Sequence, residues 1–382
     1  MKISPFVYGT TVSDTAFTDR ESDSAKLYGN LIQGINTTII SPRRWGKSSL
    51  VEKVVKDINN NENTVYTVVI DLFSVSGEEE FLELFAREVI KASSSKWQDW
   101  VQAGKEFFKR LIPRLTVGID PKVDFSIGFD WTELAKHHDE ILNLPEKIAA
   151  KYNVNFIICL DEFQNLSAFM GYDNFEKKMR SIWQRQKNVT YCLYGSKRHM
   201  MASIFNNPSK PFYRFGDIML LQKIETDKWI VFIVDGFKNS GKSISAENAR
   251  IIASTMKDHP WYVQQLSHYT WQLTDKIAGK AEISKALNEL INANTPLYQK
   301  EVDTISTTQL NLLKAVIKGE TQFTGAAVMQ KYKLGTPNNV LKNKKILMEN
   351  DVIHEIDKHY WMLDPAFELW LLKQYFNVPF SI

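Results

Sequence analysis

Cysteine is scarce in this chain. Its 382 residues hold two, Cys159 and Cys192, which excludes a disulfide framework and a cysteine-rich zinc site. Net charge is almost absent as well. Lys plus Arg total 47 and Asp plus Glu total 44, a formal +3, too little to demand a nucleic-acid or membrane partner. No apolar run approaches the roughly 18–20 residues of a membrane span. The opening Met-Lys-Ile-Ser-Pro-Phe turns polar before a signal-peptide core can form. Neither an internal repeat nor a low-complexity tract is present. A soluble, reduced, cytoplasmic protein is the expectation. Core material, by contrast, is plentiful: 44% of residues are hydrophobic and 12% aromatic, with ten tryptophans, so the chain is neither disordered nor fibrous. At roughly 150 residues per domain its length predicts two or three domains.

Seven histidines stand at 137, 138, 199, 259, 268, 354 and 359. No two of them take the His-x-x-x-His spacing of a helical zinc site, and no serine-protease or glycosidase constellation competes. Cys159 and Cys192 lie in apolar, strand-like runs and read as buried core thiols.

In the N-terminal half, apolar runs of strand length alternate with amphipathic helices. Thr37-Thr38-Ile39-Ile40 is β-branched throughout and ends at Ser41-Pro42. Residues 50, 51, 54, 55 and 58 are then apolar at helical spacing. Val65–Leu72 predicts a second strand, 81–90 a helix, and Phe156–Leu160 and Val189–Tyr194 two buried strands. Apolar strands separated by helices predict a parallel sheet covered on both faces. From about Thr226 the texture becomes helical: 246–256 and 261–273 are joined through His259-Pro260, and helices continue to about Ala293. Near the end, 308–316, 325–332 and 339–348 predict three short helices. Val352–Ile356 and Tyr360–Leu363 flank Asp357-Lys358 as a hairpin. Three helices and a hairpin are the parts of a winged helix. The expected division is 1–223, 224–304 and 305–382.

Residues 95–131 form an insertion in the first of these. Trp97, Trp100, Val101, Phe107, Phe108, Leu111 and Ile112 share one helical face beside Lys105, Lys109 and Arg110. Such a basic amphipathic helix suits a membrane surface, but packing on its own domain is the preferred account, and no membrane partner is expected. Leu115–Phe129 alternates through Asp120-Pro121 and predicts a hairpin.

The sharpest feature is Ser41-Pro42-Arg43-Arg44-Trp45-Gly46-Lys47-Ser48, between a strand and a helix. It follows the phosphate-loop pattern G-x-x-x-x-G-K-[ST] with Ser41 in place of the first Gly. That chemistry needs inward-turned amides at a helix N-terminus, where partial positive charge favours anions. Gly46 permits close approach, Lys47 reaches β- and γ-phosphate oxygens, and the Ser48 hydroxyl is a Mg2+ ligand; Ser49 extends the binding segment. The strand Phe156–Leu160 ends in Asp161-Glu162. Two acids at the edge of a buried strand are costly without partners. Asp161 is expected to hold Mg2+, and Glu162 to orient and polarise an attacking water. After the strand 189–194, Gly195-Ser196-Lys197-Arg198 places Ser196 as a candidate γ-phosphate sensor. Lys197, Arg198 and Arg214 are the candidate cations for developing charge. The expected fold class is therefore α/β: a P-loop NTPase parallel sheet with flanking helices, then a helical lid and a winged-helix domain.

These residues resemble the archaeal-type prokaryotic ATPases, in the STAND clade of AAA+-related P-loop NTPases. The resemblance rests on Phe17-Thr18-Asp19-Arg20-Glu21, on Ser41 through Leu50, on Leu160-Asp161-Glu162-Phe163-Gln164 and on Tyr194-Gly195-Ser196. It continues in Pro211-Phe212-Tyr213-Arg214-Phe215 and Leu363-Asp364-Pro365-Ala366-Phe367. These pieces span nearly the whole chain, and Ser41 is typical of one branch. The resemblance implies ATP and ADP binding, Mg2+, and slow hydrolysis coupled to a switch, with lid and winged helix folding over the nucleotide. An N-terminal segment contacting adenine would involve Val7-Tyr8-Gly9 and Arg20. His259-Pro260 occupies the place of a lid Gly-x-Pro but lacks the glycine, so helix initiation is the preferred role of Pro260. With the chain ending at Ile382, no second catalytic domain is expected.

Two readings of function follow. In the first, the protein is an ATPase acting as a nucleotide-controlled regulatory switch, with an unidentified protein effector and ATP-dependent self-association. The alternative is an ATP-gated DNA-binding protein of the initiator or transposition-helper type, using Lys342, Lys344 and Lys345 on the third helix and Lys358 and His359 on the wing. Residues 300–382 contain ten lysines, no arginine and nine acids. DNA-reading domains are usually far more basic, so the switch is preferred.

Overall fold

The computed structural model describes residues 3–10, 20–93, 114–116, 126–128 and 138–378. The basic amphipathic face at 97–112, Asp120-Pro121 and Phe17-Thr18-Asp19 lie outside the described residues. Two units are distinguished. One comprises Glu21–Ser41 and Lys47–Leu221, and the other Met1–Arg20, Pro42–Gly46 and Gln222–Ile382.

The first unit is built on the predicted strands. After α1 (Glu21–Ile32), the β-branched run forms β1 (Thr37–Ile40), buried at all four positions. The apolar stripe after the glycine-lysine pair becomes α2 (Lys47–Asn61), burying Leu50, Val51, Val54 and Ile58. Next come β2 (Val65–Asp71) and α3 (Glu78–Ala92). Phe81, Leu82, Phe85, Ala86, Val89 and Ile90 make one buried face of α3, the width a core-facing helix needs. Three glutamates in its first turn and Lys91 in its last complement the helix dipole. Arg114–Thr116 (β3) pairs antiparallel with Ser126–Gly128 (β4). Then follow α4 (His138–Leu142), α5 (Leu144–Tyr152), β5 (Asn155–Asp161), a short 3-10 turn at Phe163–Ala168, α6 (Tyr172–Trp183), β6 (Val189–Gly195), α7 (Arg198–Phe205) and β7 (Asp217–Leu220).

The sheet runs β2-β5-β6-β1-β7, with every pairing parallel. All seven residues of β6 are buried, as a central strand covered on both faces requires. Phe85 stacks on Trp183 at 6.3 Å between ring centroids, and Trp183 on Tyr191 at 4.2 Å. This aromatic column ties α3 and α6 to the sheet. Cys159 and Cys192 sit opposite each other in register, both buried and free.

The second unit holds α8 (Thr226–Asn239), α9 (Ala246–Thr255), α10 (Pro260–Leu273) and α11 (Lys280–Thr304), with a parallel bridge between β8 (Ser243–Ile244) and β9 (Ile277–Ala278). Thr304 ends α11, and Ser306 with Gln309 forms a reciprocal capping box that starts α12 (Thr307–Ile317). After α13 (Ala326–Tyr332) and α14 (Pro337–Glu349) comes the expected hairpin, β10 (Ile353–Ile356) and β11 (His359–Met362). Asp357 and Lys358 both take left-handed φ, 51° and 65°, as a two-residue hairpin turn demands. The last helix is α15 (Pro365–Trp370). One hydrophobic cluster runs from Phe6 through Trp229, Tyr262 and Leu290 to Leu313 and Trp370. Among the described residues, no helix is long and apolar enough to cross a membrane.

Candidate functional site

Three chain segments of the first unit converge at the C-terminal edge of its sheet. Lys47 and Ser48 open α2, directly after the phosphate loop. Asp161 is the last residue of β5, and Glu162 follows with a left-handed φ of 53°. Ser196 follows β6, the strand between β1 and β5. Parallel pairing brings their ends to one edge, where open α/β sheets bind ligands.

The contacts are specific. Ser48 Oγ donates to Asp161 Oδ2 at 2.8 Å. Lys47 Nζ lies 3.2 Å from Glu162 Oε1 and 3.6 Å from Asp161 Oδ1. The other Glu162 oxygen, Oε2, accepts from Ser196 Oγ at 2.9 Å, from the Ser196 amide at 3.4 Å and from Gln164 Nε2. Lys47, Ser196 and Gln164 are buried. Buried charges persist where they are paired and hydrogen-bonded, and here each acid has a cation or hydroxyl facing it.

The two acids respond to burial differently. Burial pushes Asp161 up, and the Lys47 charge and the Ser48 hydroxyl only partly oppose it, so its carboxyl is held above the ordinary range. Burial also acts on Glu162. There the Lys47 charge and the bonds from Gln164, Ser196 and Lys47 outweigh it and hold the carboxyl below its ordinary value. Burial thus prevails at Asp161 and the surrounding donors prevail at Glu162.

Gln164 is a participant to which the sequence pattern assigns no role. Its only signal was its place two residues after the acid pair. Gly195 bears the complementary trace: a Cβ there would lie 1.9 Å from Gln164 Oε1. The chain can carry no side chain at 195 while Gln164 reaches Glu162.

Ser41 and Ser49 are buried at the end of β1 and on α2. Pro42–Gly46 belongs to the second unit. There Arg44 and Gly46 are left-handed, with φ of 64° and 88°, conformations found in anion-binding nests. Arg43 is exposed, and Pro42 and Trp45 are buried. Arg20 is buried and donates to the Trp45 carbonyl at 3.2 Å. The Arg44 guanidinium lies 4.7 Å above the Trp261 ring and donates to the Tyr262 hydroxyl at 3.2 Å. Tyr8 meets Trp261 and His268 edge-on, and Gly9 beside it is left-handed at φ 89°. Pro260 is the first residue of α10, as helix initiation requires. Arg214 is exposed, left-handed at φ 52°, and stacks on neighbouring Tyr213. Among the described residues no hydrogen bond or ion pair joins Arg214 to the carboxylate cluster.

For Mg2+ the donor set is hard oxygen, Ser48 and Asp161, already in mutual contact. Mg2+ is commonly held by one or two protein oxygens, with phosphates and water completing the shell. No group of three or more His, Cys, Asp or Glu side chains that could hold a metal by itself occurs among the described residues. The residues present therefore fit a metal shared with a phosphate ligand.

Comparison with known proteins places these observations. Residues 296–373 match the model of a family described as a probable winged helix domain. In sequence, no curated protein matches the chain. Among solved structures, the Walker-type ATPase of Pyrococcus abyssi superposes with a TM-score of 0.65 at 16% identity, covering 93% of this chain and 96% of that one. The ORC2 protein of Aeropyrum pernix, solved as ADPNP-ADP complexes, gives a TM-score of 0.57 at 12% identity over 92% of each chain. Its ADP form gives 0.50 at 11% identity, covering 94% of this chain and 95% of that one. At such identities the likeness concerns the fold. In fold this chain is similar to these proteins: an α/β unit on a five-stranded parallel sheet, with a C-terminal segment that matches a winged-helix family.

Proposed function

We propose that this protein is a Mg2+-dependent ATPase working as a nucleotide-controlled switch. The observation that carries the reading is the closed cluster of Lys47, Ser48, Asp161, Glu162 and Ser196, drawn from three segments to one sheet edge. A lysine and a hydroxyl at a helix start, opposed by two acids at a strand end, is the donor and acceptor set of phosphoryl transfer to water.

In this reading Lys47 exchanges partners. Its ammonium now neutralises Glu162 Oε1, and a triphosphate at the loop offers it a more highly charged oxygen. The exchange releases Oε1 to accept a proton from water, while Ser196 and Gln164 keep Oε2 oriented. Ser48 and Asp161 hold Mg2+, which when bound supplies Lewis-acid charge neutralisation. Arg43, Arg44 and the amides of the loop bind phosphate. Tyr8 and Gly9 are proposed at the adenine end. Arg20, committed to the Trp45 carbonyl, serves the loop's shape in this proposal. Arg214, which stands apart from the cluster, is left out of the proposed chemistry.

Lys47→Ala is expected to weaken ATP binding at least about 100-fold, and Glu162→Gln to retain binding while hydrolysis falls by about 100-fold or more. Phosphate release and equilibrium titration with ATP measure the two. Hydrolysis at the wild-type rate in both variants would refute the assignment.

The DNA-binding alternative draws on the winged helix. Two of the three lysines proposed for it are engaged within their own domain: Lys344 donates to the Tyr360 hydroxyl at 2.9 Å, and Lys345 faces Glu349 at 3.7 Å. This favours the switch. A gel shift with duplex DNA at low salt, with and without ATP, separates the readings, and no shift is expected.

A further inference from the structure

Asp364 caps α15 by accepting the Phe367 amide on Oδ1 at 2.8 Å. An exposed Asp or Asn would do as much. This carboxylate, however, also receives two buried tyrosine hydroxyls. Tyr262 donates to Oδ2, and Tyr298 reaches Oδ1 at 3.3 Å and Oδ2 at 3.5 Å. The two hydroxyls are themselves 3.2 Å apart.

The Tyr262 hydroxyl also accepts from Arg44 Nη1. The direction of this chain is forced by chemistry. A guanidinium can only donate and a carboxylate can only accept, so protons point from Arg44 through Tyr262 to Asp364. A hydroxyl so placed is polarised from both sides, which strengthens each bond. At the far end Arg44 is a non-glycine residue in left-handed backbone, a conformation that persists only where its surroundings hold it. The Trp261 face and the Tyr262 hydroxyl are what its side chain rests on.

We infer that Asp364 is a positioning residue for the phosphate loop, acting through Tyr262 on Arg44. The shape of Pro42–Gly46 then depends on a carboxylate at the start of α15, behind the winged-helix hairpin. The residue contributes no atom to the reacting groups. It sets where the loop's arginine and its neighbouring amides point. Its consequence for nucleotide affinity rests on the ATPase reading above, whereas its consequence for the loop does not.

Two measurements on the full chain test this. Tyr262→Phe removes one oxygen and keeps the ring, and Asp364→Asn keeps the helix cap. In limited trypsin digestion without nucleotide, both should speed cleavage between Arg44 and Trp45 about fivefold relative to cleavage after exposed Lys318. Unchanged relative cleavage in both variants overturns the inference, whatever the protein binds. The second measurement is a double-mutant cycle read with a fluorescent ADP analogue. Tyr262→Phe should raise Kd about tenfold beside Arg44 and less than about twofold in an Arg44→Ala background. A merely structural tyrosine would weaken binding equally in both backgrounds, and that result also overturns it. Failure of the wild-type chain to bind the analogue would count against the ATPase reading and leave the cleavage arm to decide this one.

Discussion

Acid should weaken the folded state of this protein through His259, and the size of the effect follows from the structure. The imidazole is 4% exposed, edge-on to Trp45 and 4.9 Å from the Tyr262 ring. Its Nδ1 makes no hydrogen bond among the described residues. Burial first, then the Lys223 and Arg44 charges, lower its pKa from 6.5 to about 3. In the unfolded chain the ring titrates near about 6.5. Because the folded pKa lies below the unfolded one, acid favours the unfolded state. The contribution is constant well above pH 6.5 and declines as pH falls from there toward 3, by about 1.36 kcal/mol per pH unit. From pH 7.5 to 5.5 the loss is about 1.4 kcal/mol, and by pH 4.5 about 2.6 kcal/mol. Over this range the buried ring stays neutral, so the loss reflects the unfolded imidazole alone. Urea unfolding of the wild type and of His259→Gln at pH 7.5, 6.5, 5.5 and 4.5 measures it. Groups common to both proteins cancel in the difference, which should shrink or grow by these amounts in favour of the variant as pH falls. Parallel stability curves over the whole range would refute the burial argument.

Other substitutions probe the frame around the site. Gly195→Ala sets a methyl against Gln164 Oε1 and 2.9 Å from Met201 Sδ, and should cost about 1–3 kcal/mol. Adding Gln164→Ala should restore part of that in thermal unfolding. Ser306→Ala removes one arm of the capping box that opens α12 and should cost about 1 kcal/mol in urea unfolding. With Trp183→Ala, a fully buried ring is lost between Phe85 and Tyr191, a loss of about 3–5 kcal/mol.

Much of the frame was legible along the chain. The strand-length runs at 65–72 and 156–160, the second apolar throughout, became β2 and β5, and the apolar spacing at 50–58 became the buried face of α2. The left-handed Asp357-Lys358 turn sits where the hairpin was expected. β7 was not legible. Its four residues pair on one side only, at the sheet edge, and no more than one of them is buried, so no apolar pattern marks it. Gln164 went without a role because a glutamine near a strand end has many ordinary uses. Arg20 donates to a loop carbonyl 25 residues away, a partner that no local pattern reports.

Local order settles some things without a fold. Strand and helix periods, a glycine-lysine-serine after a β-branched strand, and two acids ending an apolar run depend on neighbours within a few residues. They determine which segments bury which face and where a phosphate or a metal would be held. Tertiary structure decides what those groups touch. Parallel pairing alone sets β6 between β1 and β5 and so delivers Ser196 to Glu162. The chain from Arg44 through Tyr262 to Asp364 joins residues 218 and 102 positions apart. No periodicity reports such a distance, because it is closed by the packing of one hydrophobic core rather than by the geometry of any single element.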